Sequence, residues 1–561
     1  MTTAVELPGR KKVMVLAGAL LGLLVAALDQ TVVSTALPSI IGELGGLSLF
    51  SWVFTAYMLT STITVPIAGK LSDLYGRKPF FMAGVALFMI ASILAGFSQT
   101  MLQLIIFRGL QGVGAGMIIA NSFAIIGDLF PPSERGKYIG LFSGVFGIAS
   151  IIGPTLGGFI TDNLSWRWVF YVNIPVGIVA LTVLWFGFPW VRARDVQRSI
   201  DYWGVAGLIL AVVPLLLAFV WGGDLYPWAS PQILGLLAAA AGGIILFIWA
   251  ERRAVEPIMP LSMFQNRVFA VATLVTFLVG IVMFGAITFM PLFVQGALGA
   301  SATNSGVITT PMMLGVVVAS AIAGQLVARL GRYRLLVVAG ALVFTAGMFL
   351  MTRMDQNTPQ LIAVRNMVMI GVGIGLQMPV LILAVQNALP YRLLGAATAS
   401  NQFFRQIGGT LGVAIFGTIV ATQMKENLRA ALPSQVAAAP DELVARLEDP
   451  QILLSPTALD RLRESFGAMG GQGSALFEAT LEAMRGVVAA ALTDVFFVGT
   501  IVALIALAVS VFLPDVPLRT TIETPEPAAP VPPPVDLGAA AIDPPEPQHQ
   551  APPVVGDGSG R

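Results

Sequence analysis

The sequence predicts an all-α integral membrane protein of fourteen spans: two six-helix bundles plus two additional central transmembrane helices. Three observations carry that reading. Hydrophobic residues make up 56% of the chain and charged residues 11%, with a mean hydropathy of +0.84, whereas soluble domains carry about 25% charged residues. Apolar runs near 13–36, 50–69, 80–98, 102–127, 138–160, 168–188, 203–221, 232–250, 268–294, 303–327, 335–352, 360–385, 396–421 and 491–513 each approach the roughly 20 residues a helix needs to cross a bilayer. The chain also repeats itself. Gly69-Lys-Leu-Ser-Asp73-Leu-Tyr-Gly76-Arg77-Lys78 shares its frame with Gly324-Gln-Leu-Val-Ala-Arg329-Leu-Gly331-Arg332-Tyr-Arg334. Leu37-Pro38 pairs with Met290-Pro291, Arg108 with Arg365, and Arg135-Gly136 with Leu394-Gly395, at offsets of 253 to 259. A steady offset of this size means two homologous halves, the plan of a secondary transporter with its substrate site between them.

Taken in order, Arg10-Lys11-Lys12 and the run from Val13 have the outline of a signal peptide, but the run exceeds the about 7–15 apolar residues of such a core. Residues 1–12 are therefore read as a cytoplasmic N-terminus and residues 13–190 as the N-terminal six-helix bundle. Six spans and their loops need roughly 200 residues, fewer than the repeat offset. The excess is one hairpin, placed at 191–255 as two inserted spans, the first kinked at Pro214. Residues 256–513 form the C-terminal bundle, interrupted by a polar outer loop at 422–490. Within it Pro440-Asp-Glu-Leu-Val-Ala-Arg446 and Thr457-Ala-Leu-Asp460-Arg-Leu-Arg463 read as short helix starts. The spacing of Leu476, Phe477, Leu481 and Met484 runs on toward the last span. The Pro-rich stretch 514–561 is expected to be a disordered cytoplasmic tail. Cations collect on one set of loops (Lys70, Arg77, Lys78, Arg135, Arg252, Arg253, Arg329, Arg332, Arg334 and Arg519 among them), while the other short loops hold Arg167 and Arg353. That asymmetry predicts a multi-pass protein of the plasma (inner) membrane with both termini cytoplasmic.

The composition also excludes function classes. A net charge of +1 gives no reason to expect nucleic acid as a partner. The absence of cysteine and the single histidine, His549 in the tail, remove thiolate metal sites, disulfides and cysteine or imidazole catalysis. No metal and no cofactor is expected, and the chain is not read as an enzyme. No Gly-x-x-x-x-Gly-Lys-Ser/Thr loop for ATP appears, so the energy source is read as a proton gradient acting on carboxylates. The expected partners are the lipid bilayer and a small-molecule substrate, with the loop 422–490 as a surface for an extracytoplasmic partner; the protein is read as a monomer.

Four stretches carry candidate chemistry. In the loop after span 2, Gly69 and Gly76 permit close approach and a tight turn, and Asp73 can meet Arg77, Lys78 and Asp128 in a charge network that latches the halves. Span 4 carries Arg108-Gly-Leu-Gln111-Gly112-Val-Gly114-Ala-Gly116; an arginine at the bilayer centre costs at least about 2.5 kcal/mol and is a functional candidate for that reason. Span 5 carries Gly144, Gly147, Gly153-Pro154 and Gly157-Gly158. In span 13, Asn401-Gln402 and Arg405-Gln406 place amides and a cation where they face a cavity or a neighbouring helix, binding substrate or cross-linking spans. Gln30, Thr31, Gln111 and Gln377 join Asn401, Gln402 and Arg405 as candidate cavity residues.

The loop Gly69-x-Leu-x-Asp73-x-x-Gly76-Arg77-Lys78 resembles the signature loop of the major facilitator superfamily. The Arg108 run is similar to the span-4 motif whose arginine is implicated in proton transfer. Gly153-Pro154-x-x-Gly157-Gly158, with Gly147, resembles the antiporter motif of exporters. Leu28-Asp29 to Pro38 and Trp166-Arg167 to Pro175 extend the likeness to the fourteen-span drug:proton antiporter branch, over about 13–421 and the last span. The resemblance implies proton-coupled multidrug efflux of amphipathic or cationic compounds by alternating access. The intramembrane acids that some members carry in the second half are missing here. Export of an endogenous lipid or metabolite is the alternative within transport, and a membrane receptor without flux the alternative outside it.

Asp29 is the carboxylate placed well inside a span. At roughly 1.5 Å per residue it lies about 24 Å from the inner surface, and Arg108 about 9 Å from the outer edge, of a core about 30 Å thick. The two therefore share a depth. Protonation of Asp29 from outside is expected to release a cationic substrate or free Arg108; the alternative is a permanent ion pair that staples spans 1 and 4.

Overall fold

A computed structural model describes residues 8–45, 49–188, 199–223, 225–299, 302–439, 444, 447–448, 452–453, 456–467 and 473–520. Among them fourteen helices are long and apolar enough to span a membrane: α1 (Gly9–Leu44), α2 (Phe50–Tyr75), α3 (Arg77–Gly96), α4 (Met101–Leu129), α5 (Pro132–Asn163), α6 (Asn173–Gly187, preceded by one turn at Trp168–Tyr171), α7 (Tyr202–Trp221), α8 (Pro231–Glu251), α9 (Arg267–Leu292), α10 (Ala302–Leu330), α11 (Arg334–Met351), α12 (Gln360–Ala388), α13 (Leu394–Ala431) and α14 (Gly473–Val511). In lipid every backbone polar group must be paired within the chain, which leaves helices as the solution for such runs. The two turns that the repeat matches each use a left-handed glycine: Gly76 (φ 100°) between α2 and α3, and its repeat partner Gly331 (φ 65°) between α10 and α11.

The two halves pack by one plan. α1 lies on α5 and α6, α2 on α4, and α3 on α4 and α6; in the second half α9 lies on α13 and α14, α10 on α12, and α11 on α12 and α14. The halves meet along α2–α13 and α5–α10. Both seams cross at glycines: a Cβ on Gly136 of α5 would stand 2.9 Å from the carbonyl oxygen of Gly324 in α10, and one on Gly69 of α2 would stand 3.1 Å from that of Gly395 in α13. The hairpin α7–α8 stands outside this plan, with α7 against α2 and α13. Its linker to α9 is anchored by Glu251, which accepts from the N–H groups of Ile258 and Met259 (both 3.0 Å), and by a Lys70–Glu256 ion pair (2.6 Å).

Two expectations change. The region 422–490 is not a loop throughout: α14 (39 residues) begins at Gly473, as the spacing from Leu476 predicts, and α13 (38 residues) runs on to Ala431, which it does not. At 1.5 Å per residue each is about 57 Å long, against a core of about 30 Å. Met424, Leu428, Leu481 and Met484 are buried there, so an apolar stripe continues past the membrane and keeps the helices packed as a stalk. Thr457–Arg463 falls in a helix over Pro456–Gly467, whereas most of Pro440–Arg446 lies outside the described residues. The second change is the start of the tail. Residues 514–520 are a strap across the loop ends near Gly76 and Gly331, and 521–561 lie outside the described residues. Asp515 Oδ1 accepts from the N–H groups of Tyr333 (3.3 Å) and Arg334 (3.5 Å), and the Tyr333 hydroxyl accepts from Val516 N–H (3.3 Å). Burial pushes that phenol up to about 12, so it stays neutral. Asn387 donates to the Pro517 carbonyl (3.2 Å) and accepts from Arg519 N–H (3.1 Å), while Ser133 N–H of the other half donates to the Arg519 carbonyl (3.2 Å).

The repeat also places a cation at each equivalent helix end. Lys78 donates to the carbonyls of Trp185 (2.8 Å) and Phe188 (2.6 Å) at the end of α6, and Arg334 donates to that of Val511 (2.6 Å) at the end of α14. Lys78→Ala or Arg334→Ala is expected to cost about 1 kcal/mol of stability, read as a lower melting temperature of the purified protein. An unchanged melting temperature in either variant would show that water replaces the cap.

Candidate transport site

The first half encloses a polar cluster around Asp29. Asp29, Ser92, Arg108, Gln111 and Asn173 are each no more than 2% exposed. Arg108 Nη1 is ion-paired to Asp29 Oδ2 and donates to Gln111 Oε1 (2.7 Å), while its Nε donates to the Val53 carbonyl (3.2 Å). The guanidinium stands 4.3 Å from the centre of the Tyr57 ring. Asp29 Oδ1 accepts from Gln111 Nε2 (2.7 Å) and Asn173 Nδ2 (3.0 Å), and both amides also reach Ser92 Oγ. Gln111 follows Arg108 by three residues, so both project from one face of α4. The carboxylate is fully supplied with donors, whereas Arg108 Nη2 is buried with no hydrogen-bond partner. Burying two charges costs several kcal/mol per ion, and the asymmetry makes Arg108 depend on Asp29 remaining ionised.

Around this cluster the candidate residues divide. Gln30 is hydrogen-bonded to Tyr57. Thr31 Oγ1 donates to the Ala149 carbonyl of α5 (3.1 Å) and sits where a Cβ on Gly153 would fall; it joins α1 to α5. The α5 motif serves two neighbours: Gly153 and Gly157 receive Thr31, Val32 and Thr35 of α1, and Gly147 receives Val317 of α10. Gly158 faces open space and Pro154 is exposed. At the outset of α6, Trp166 Nε1 donates to Glu43 Oε2 (2.7 Å) and Arg167 is ion-paired to the same carboxylate. These partners hold the Glu43 carboxyl below its ordinary range. Its contribution is present above the unfolded-state value and is lost only as pH falls through the lowered one, so mild acid leaves the tie intact.

At the end of the bundle that carries Gly76, a second cluster joins the halves. Asp73 is ion-paired to Arg77 and accepts from the N–H of Ala396 (2.9 Å) in the first turn of α13, a site favoured by the helix dipole. Arg77 Nε pairs with Asp128 Oδ2 (3.0 Å), and the Tyr391 hydroxyl donates to Asp128 Oδ1 (3.0 Å). Lys78, expected in this network, instead caps α6. Its place is taken by residues that sequence reasoning missed: Arg135 donates to the Gly127 and Phe130 carbonyls (both 2.8 Å) and reaches that of Gln386 (3.5 Å), and Gln386 Nε2 donates to the Phe123 carbonyl (3.1 Å). This end of the bundle is closed.

On α13, Asn401 donates to Thr276 of α9 (3.1 Å) and Arg405 Nε to Gln402 Oε1 (2.7 Å). The Thr62 hydroxyl donates to Gln406 Oε1 (2.7 Å) across the α2–α13 seam. Gln377 of α12 is fully buried with both amide atoms unpaired, and its backbone N lies where a Cβ on Gly340 of α11 would approach to 3.2 Å. Gln406 thus cross-links spans, one of the two roles read for its stretch; Ser92, Asn173 and Arg135 were not selected as site residues, although single polar side chains inside apolar runs were the available signal.

Residues 19–413 match the family described as the Major Facilitator Superfamily. The chain belongs to that superfamily. This superfamily member is 43% identical over 470 residues to multidrug transporter protein MdtP of Bacillus subtilis (strain 168), covering 82% of this chain and 86% of MdtP. It is 38% identical over 509 residues to multidrug resistance protein 3 of the same strain, covering 91% and 96%. Its structure resembles that of the human organic anion transporter MFSD10 with a TM-score of 0.56 at 13% identity, over 89% of this chain and all of the other, a likeness of fold. Membership makes the chain a multi-pass membrane transporter of small molecules and not an enzyme.

The closed end yields a prediction. Ala399 is fully buried where α13 meets Gly69, and the chain has no native cysteine. In an Ala399→Cys background, Arg77→Ala is expected to raise the alkylation rate about tenfold, the effect of about 1.4 kcal/mol on the open population. An unchanged rate would show that Asp73, Arg77 and Asp128 do not hold this end shut.

Proposed function

We propose that the protein is a proton-coupled antiporter of the plasma membrane that exports amphipathic drugs by alternating access. The observation that carries coupling is the sealed Asp29–Arg108 pair, whose guanidinium has no complete alternative set of acceptors. A proton on Asp29 Oδ2 breaks the ion pair, leaves Arg108 with Val53 and Gln111, and changes how α4 holds α1. Because α1 is packed into the glycines of α5, and α5 into α10, that change reaches the seam between the halves. The names of the Bacillus relatives support drugs as the substrate class, and the cation-rich loops support a cytoplasmic position for the closed end and both termini. Asp73, Arg77 and Asp128 act as the gate on that side.

Export of an endogenous lipid or metabolite is the second reading. One observation favours it: a cavity of about 450 Å³ in the stalk, lined by Gln356, Gln423, Asn427 and Glu482 among others. Phospholipid stimulation of drug efflux that vanishes in Gln423→Ala would support it.

Asp29→Asn keeps shape and removes titration. In inverted vesicles it is expected to abolish efflux driven by a pH gradient, with a folded, inserted protein that still binds neutral drugs. Full pH-driven efflux by the variant would reject Asp29 as the coupling group. For the orientation, cysteines placed at positions 75 and 332 are expected to react with an impermeant thiol reagent only from the cytoplasmic side; reaction of either from outside would invert the topology.

A further inference from the structure

The second half holds a cation that the coupling scheme leaves unused. Arg405 stands on α13, about 14 Å along the helix at 1.5 Å per residue from Ala396, the residue that Asp73 contacts at the closed end. Going the other way, Asp494 lies level with Gln423, about 27 Å away on the same scale. Among the helices packed against α13, α9 offers no acid, α2 offers Asp73, α4 offers Asp128, and α14 offers Glu478, Glu482 and Asp494 on its stalk side. Asp73 and Asp128 are already engaged at the gate. Among the described residues Arg405 therefore has no carboxylate partner. Its interactions are the hydrogen bond to Gln402 and a position 6.0 Å from the centre of the Phe284 ring of α9.

A buried arginine that is merely structural is paired, because an uncompensated charge is expensive. Arg405 is deep in the bundle and only partly buried, unlike its buried neighbours Gln402 and Phe403, and among the described residues Gln402 is its one side-chain hydrogen-bond partner. Gln402 fixes one edge of the guanidinium and leaves the Nη groups free for a planar acceptor. Phe284 packs beside it against Gly409 and offers an aromatic face. In the opposite half, Asp29 is 1% exposed and covered by three donors. The charge that the interior presents to a substrate is thus positive.

We propose that Arg405 is the substrate-recognising residue of the interior and that the preferred substrates are aromatic amphiphiles bearing a carboxylate or phenolate. The anionic group takes the free Nη edge, the ring system lies against Phe284, and Gln402 positions the guanidinium. This rests on the transport reading but not on proton coupling, and it replaces the expectation of cationic substrates.

The test uses the full chain in detergent and two dyes with one xanthene ring system, fluorescein (anionic) and tetramethylrhodamine ethyl ester (cationic), with binding read by fluorescence anisotropy. Wild type is expected to bind fluorescein more tightly. Arg405→Gln is expected to weaken fluorescein binding by about ten- to hundredfold, the worth of a charge-assisted hydrogen bond, with the cationic dye unaffected or bound better and Arg405→Lys intermediate. An unchanged or raised melting temperature of Arg405→Gln confirms that a folded protein was tested and fits removal of an unpaired charge. Tighter binding of the cationic dye by wild type, binding of neither dye, equal loss for both dyes in Arg405→Gln, or a destabilised Arg405→Gln accompanied by undiminished fluorescein binding in Arg405→Lys and Arg405→Met would overturn the proposal. Flux under a pH gradient is measured in parallel: charge-selective binding without pH-driven flux sinks the coupling scheme and leaves the anion site standing.

Discussion

Everything in the first half is arranged around one costly act, the removal of a carboxylate and a guanidinium from water. Ions of this size lose several kcal/mol each on burial even after relaxation. The first half meets that cost from four helices, with Asp29 from α1, Ser92 from α3, Arg108 and Gln111 from α4, and Asn173 from α6. Those helices cannot shift independently without stranding a polar group, so the cluster fixes their packing. It also makes the packing conditional on charge. A proton on Asp29 removes the strongest of Arg108's bonds while the amide donors around the carboxyl lose their anionic acceptor.

The closed end shows the second constraint, the duplicated chain. The glycines that the repeat matches, Gly69 with Gly324 and Gly136 with Gly395, are also the residues that touch across the seams, Gly69 beside Gly395 and Gly136 beside Gly324. A pseudo-twofold relation between halves requires this crossing of pairs. The symmetry fails in one informative place. Asp73 serves the first turn of α13, but its repeat position is Ala328, which cannot serve the first turn of α5. There the donor Ser133 N–H is satisfied by the carbonyl of Arg519 in the strap. The segment after α14 thus adds a tie at Ser133, a position the repeat does not match to Ala396, so the α2–α13 seam is latched by a side chain and the start of α5 is held by a separate piece of backbone.

The spans were legible because hydropathy over about twenty residues is a strong, local signal, and each of the fourteen runs falls on one of the fourteen helices. The Asp29–Arg108 contact was also within reach, since helix rise converts position along the chain to depth. What the sequence hid was azimuth. Depth alone could not tell that Thr31 turns to α5 or that Lys78 turns from Asp73 toward the end of α6. One arm of the stalk was legible in the spacing of Leu476, Phe477, Leu481 and Met484, which runs into the last span; the other was not, because α13 beyond the membrane is polar and apolar only along a stripe. The strap carries no periodicity at all, and its order comes from backbone groups meeting loop ends far away in sequence.

With the proposed substrate-facing positive charge in one half and the proposed coupling carboxylate in the other, the ways in which coupling can work are limited. A proton on Asp29 makes the first half more positive, which would draw an anion inward instead of expelling it. On the proposed roles of Asp29 and Arg405, proton and anionic substrate do not compete directly, and exchange runs through the packing of α1, α5 and α10 at Thr31, Gly153 and Gly147. The energetics favour that arrangement. Moving one elementary charge through 100 mV is worth about 2.3 kcal/mol, and in a cell that is negative inside an outgoing anion and an incoming proton both run down the potential. A cation exchanged for one proton would draw nothing from it. The proposed anion site at Arg405 thus bears on the driving force of the transporter as well as its choice of substrate.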